Sequence, residues 1–158
     1  MDGANAGNGG SRDKIMAPYY GLGTKENILA NLKVVLDTVT GIMFVDYQRI
    51  RASGASVDKY PGAYINDVAT DKTKLLKDVI RNMFGVQLVL WIWAAKDEDL
   101  ITKQNAFVEA VKTKIVIDLT RNNQAYDTVI ESVTTDSGSR HPQAMAIVNM
   151  LIIFYSEK

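Results

Sequence analysis

VQLVLWIWA, residues 86–94, decides how this 158-residue chain folds. It is rich in β-branched and aromatic side chains and too short for a buried helix, so it reads as a strand. Alternation puts Val86, Leu88, Leu90, Ile92 and Ala94 on one face and Val89, Trp91 and Trp93 on the other. A strand apolar on both faces needs cover on both. Helices are expected on one side, with another subunit as a candidate for the other.

Working outward, the next segment reads as a long helix. Asp97, Glu98 and Asp99 stand where the helix dipole favours acid. Leu100, Ile101, Gln104, Phe107, Val108, Val111, Ile115 and Leu119 follow along one face, and Asn122-Asn123 read as a stop. At about 23 residues it would run roughly 35 Å at about 1.5 Å per residue, enough to cross a sheet. Two strands then close the chain, near 128–135 and 144–156, joined by the polar loop TDSGSRHPQ. They read as a long antiparallel C-terminal hairpin, whose final strand exceeds the usual length.

Upstream, Thr24 is a cap for a helix whose stripe is Ile28, Leu29, Leu32, Val35, Leu36 and Val39, with Gly41 as its end. IMFVDYQRI, residues 42–50, reads as a strand. A loop ending in Tyr60-Pro61-Gly62 leads to a short strand over 63–68. Residues 71–83 fit a helical stripe (Leu75, Leu76, Val79, Ile80, Met83) with Asp71 as cap, and read as a short helix, an irregular lead-in to the next strand being the alternative. The first 14 residues lack hydrophobic periodicity, so 1–23 is expected to be a flexible arm, with Tyr19 and Tyr20 available for docking. The fold expected is a single α+β domain over 24–158, with a mostly antiparallel sheet and two main helices packed on one face.

Composition excludes several classes. Hydrophobic residues make up 47%, enough for a core without staples, and there is no cysteine. Lys+Arg and Asp+Glu number 18 each, which lacks the basic excess of a phosphate-binding surface. Little net charge also means weak mutual repulsion, a pointer toward association. The N-terminus has no apolar region of the signal-peptide kind, and the apolar runs at 86–95 and 144–154 are too short for membrane helices.

Chemistry-bearing motifs are sparse. His141 is the one histidine, beside Pro142 in a polar loop, and reads as a surface or interface residue. The acidic trio reads as a helix start and not as metal ligands. Gly21-Leu22-Gly23-Thr24 has no strand before it and no phosphate-loop lysine, so it reads as a lead into the first helix. Residues 136–140 resemble a calcium loop in composition only. Trp91 and Trp93 read as packing residues. A stacking platform would need cations alongside, for which Arg49 and Arg51 are the candidates. No catalytic, metal or cofactor residue is assigned.

Several phrases together resemble a known family: ENILANLKVVLDTV, the loop ending YPGAYIN, LVLWIWA, the long amphipathic helix, and the closing hairpin ending LIIFYSEK. In this order they resemble the tail terminator (tail completion, or tail-to-head joining) proteins of long-tailed bacteriophages, over roughly residues 24–158. The resemblance implies a non-enzymatic virion protein, assembled in the host cytoplasm into a hexameric ring. That ring would cap the tail tube, end its growth and receive a head-completion or connector protein, with DNA merely passing through. Contacts to neighbouring subunits or rings are then expected at Tyr19, Tyr20, Arg49, Arg51, Tyr60, Asp136, Arg140 and His141. Alternatives are another tail-tube, connector or baseplate subunit, or a small ligand-binding module. The N-terminal extension and the polar segment between the Tyr-Pro turn and the tryptophan strand depart from the family pattern.

Overall fold

The computed structural model describes residues 22–47, 59–136 and 141–157, without the side chains at 69 and 70. The elements are α1 (Lys25–Asp37), β1 (Phe44–Tyr47), β2 (Gly62–Leu75), β3 (Val79–Trp93), α2 (Asp97–Ile117), β4 (Asp127–Thr135) and β5 (Gln143–Glu157). The strands form one five-stranded sheet in the order β1-β2-β3-β5-β4. Only β1–β2 is parallel; the other pairings are antiparallel. The α+β class, the mostly antiparallel sheet and the two main helices are as the sequence predicts.

Both helices cover one face of the sheet. Phe84, Val86, Leu88, Leu90 and Ile92 of β3 and Ala144, Ala146, Val148, Met150 and Ile152 of β5 are all at most 3% exposed. They form one cluster with Ile28, Leu32 and Leu36 of α1 and with Leu100, Phe107, Val108, Val111 and Ile115 of α2. Thr24 caps α1 by accepting the Asn27 amide at 3.2 Å. The acidic trio lies in the first turn of α2.

The segment around 71–83 differs from its expected form. It is no helix: residues 72–75 pair with 80–83, so the short strand expected at 63–68 runs on to Leu75 in a long β2–β3 hairpin. The turn is closed by Leu76 N donating to Val79 O at 2.9 Å. Of the supposed helical stripe, Leu75, Ile80 and Met83 stand in this ladder while Leu76 and Val79 close its turn, and cross-strand pairing overrides local periodicity. The length of β5 has a related cause. It pairs with β3 from Trp93↔Gln143 to Val79↔Glu157, so its overrun past β4 is matched inside the same chain. α2 also stops at Ile117, short of the expected end, and Asp118 begins a loop.

On the opposite face, Val89 and Trp91 are buried within the chain, at 6% and 3% exposure, without requiring a subunit. Phe44 and Tyr64 join them there, ring centroids 5.1 Å apart. Further along that face Met145, Ile147, Leu151 and Ile153 are half-buried.

Candidate functional site

Three of the predicted contact residues, Tyr60, Asp136 and His141, fall within the described structure. Tyr19, Tyr20, Arg49, Arg51 and Arg140 lie outside the described residues. The three come together at one rim of the sheet, where β3 leads into α2 and β4 turns into β5. In the sequence Asp136 and His141 share one loop and Tyr60 stands in another, with nothing local to link Tyr60 to the hairpin.

The rim is built from β5 outward. Gln143, its first residue, donates to the Tyr60 hydroxyl at 2.8 Å. The preceding His141–Pro142 bond is cis, and the Pro142 carbonyl accepts the Ala94 amide at 3.0 Å. His141 Nε2 lies 3.2 Å from both the Ala95 carbonyl and Asp97 Oδ1. The acidic start of α2 thus doubles as a partner for the one histidine when it is protonated.

Asp136 closes β4 against β5. Its amide donates to the Met145 carbonyl, and its Oδ2 accepts the Met145 amide, both at 3.1 Å. Gln104 of α2, only 1% exposed, donates to that same carbonyl at 2.9 Å and to Asp136 Oδ1 at 3.3 Å. These contacts fix the bases of the Tyr60 and 136–141 loops on the sheet.

Beside them lies a cleft of about 500 Å³. Tyr60, Pro61 and Trp93 line it together with Lys103 and Phe107 of α2. Lys103 has no ion-pair partner among the described residues. The spacing of Lys103, Ala106 and Ala110 along one flank of α2 carried the signal for this cleft, but without the Tyr60–Pro61 wall opposite it reads as ordinary helix surface. Trp93 therefore borders a cleft while Trp91 is enclosed, so the two do not form an open stacking pair.

Two polar clusters elsewhere were not foreseen. Lys25 bridges Asp67 and Asp71 at 3.0 and 2.9 Å. Burial works against its charge, but hydrogen bonds to Asp71 and Asp67 outweigh it and raise its pKa above the usual lysine value. At the end of α2, Asp118 accepts the amides of Thr120 and Asn122 at 2.9 and 2.7 Å. The next turn holds Arg121, Asn122 and Asn123 in left-handed conformations, with φ of 49, 57 and 64°. Arg121 is fully buried; it donates to the Ile115 carbonyl, while its Nε and Nη1 have no partner among the described residues.

Among the described residues there is no group of three or more His, Asp or Glu placed to hold a metal ion. No helix there is long and apolar enough to cross a membrane. In comparisons with known proteins, the chain matches no family model and no curated protein.

Proposed function

We propose that this chain is a structural virion protein of the tail-terminator kind, a subunit of a ring that caps the phage tail tube and joins it to the head. One observation carries the reading. The sheet is covered by two helices on one face, whereas on the other Tyr64, Met145, Ile147, Leu151 and Ile153 stay half-buried with no described helix above them. Apolar surface left in this way is what a subunit contact covers.

The order αβββαββ, with its Tyr-Pro turn and tryptophan strand, supports the family resemblance. The rim at Tyr60, Asp136 and His141 then serves as a ring-to-ring contact, its loop bases held by Gln104 and Gln143. Residue positions at such a contact must be fixed before binding, since ordering them afterwards costs affinity.

The experiment is native mass spectrometry and electron microscopy of the full-length chain, alone and with purified tail tubes. Hexameric rings, free or seated at tube ends, are the expected result, with tube length held constant. A chain that stays monomeric, does not bind tubes and leaves their length unchanged rejects the proposal.

A further inference from the structure

The sheet ends on two edges that differ in charge. β4 lies at one end of the strand order, and no described strand lies outside it. Its sequence, DTVIESVTT, carries Asp127 and Glu131 and no cation, with Val129 and Val133 40% and 37% exposed. At the other end, β1 pairs only with residues 62–65 of β2. Beyond them, through Leu75, β2 presents a bare edge among the described residues.

The uncompensated charge on that second edge is positive. Asp67 and Asp71 share the single charge of Lys25 and keep one negative charge between them, against three positive charges on Lys72, Lys74 and Arg81. Lys74 stands directly across the ladder from Arg81. Facing like charges destabilise a strand pair, and no described carboxylate is paired with Lys72, Lys74 or Arg81. Next to them Leu75 is 70% exposed.

An edge strand directs about half of its N–H and C=O groups away from its one neighbour, ready for another strand. We propose that β4 of one copy pairs edge to edge with the 72–75 end of β2 in the next copy. Glu131, at the bulge in β4, then meets Lys72 and Lys74, and Val133 packs near Leu75, which shares its face of the sheet. Acid on one edge and base on the other disfavour β4 against β4 and β2 against β2, so charge selects the unlike pairing. Contact between two different patches repeats from copy to copy and gives a ring when the rotation between copies closes, where a like-to-like contact would stop at a dimer. This inference rests on the ring reading above and adds which surfaces meet.

Charge reversal in the full-length chain tests it, with assembly followed by light scattering and native mass spectrometry. E131K alone, and K72E/K74E together, are each expected to raise the concentration at half-assembly about tenfold or more. A chain carrying all three changes should return to within about threefold of the parent, because both partners of the pair are exchanged. All three positions are exposed, and circular dichroism checks that each variant folds; the neutral changes E131Q and K74Q repeat the comparison more gently. Assembly indifferent to the reversals, or unrescued in the combined chain, overturns the edge pairing and leaves the ring reading standing. A parent chain that stops at a dimer overturns the pairing as well. A chain that forms no ring, alone or on tube ends, overturns both.

Discussion

The ring of Phe44 fills the space a side chain at Gly62 would need: a Cβ there would lie 1.9 Å from Phe44 Cε1. Gly62 is in register with Phe44 on one side and Trp91 on the other, so the ring crosses the β2 backbone at its one bare position. Gly62→Ala is expected to cost about 1–3 kcal/mol, the usual cost of overpacking, read as a lower urea midpoint. In a Phe44→Ala background the same change should cost less, since the clash is gone. An additive pair of effects would rule out this close approach.

Gln104 ties α2 to Asp136, at the base of the loop that carries three of the candidate contact residues. Gln104→Leu keeps the bulk but takes a donor from both the Met145 carbonyl and Asp136 Oδ1. The expected loss is about 1–3 kcal/mol, the range for stranding a buried polar partner, with faster amide exchange at Asp136. As a control, Glu109→Gln breaks the exposed pair with Lys112 and should stay within about 0.5 kcal/mol. Equal thermal shifts for the two variants would contradict the assigned role of Gln104.

What the sequence made legible follows from how local each signal is. Thr24, the acidic start of α2 and the alternation in β3 act within a few residues of themselves, and each stands as read. The β2–β3 hairpin was hidden because its turn, Leu76-Lys77-Asp78, has no Gly or Pro, and because Leu75, Leu76, Val79, Ile80 and Met83 fit a helical period although only Leu75, Ile80 and Met83 stand in the ladder. At the candidate site, Pro61 and Pro142 marked the turns. The gathering of Tyr60, Asp136 and His141 depends on Gln143 and Gln104, whose partners lie 83 and 32 residues away. No sequence window holds that information.

Arg121 poses the opposite case, a charge enclosed with too few acceptors. Burial draws its pKa down from the usual arginine value, and Asp118 only partly opposes this. Arg121→Met fills much of the same space without the desolvation cost and should be neutral or stabilising by about 1 kcal/mol. Arg121→Ala leaves a cavity and should cost about 2 kcal/mol or more. Chemical denaturation of the two variants separates volume from charge. If Met is as damaging as Ala, the guanidinium contacts matter more than the space they fill.

Asp118, which organises the same turn, sets a pH dependence of definite sign. Burial favours its neutral form, but hydrogen bonds from Thr120 and Asn122, aided by the nearby Arg121 charge, outweigh that and hold its pKa below the usual aspartate value. A carboxylate with a lower pKa folded than unfolded stabilises the fold above the unfolded value of about 3.9, and that contribution is lost as pH falls through the folded value. Asp118→Asn should therefore be less stable than the parent at pH 7 and should lose less stability on acidification below about pH 4. Urea midpoints measured from neutral to acid pH give both slopes. Parallel slopes would show that Asp118 carries none of this linkage.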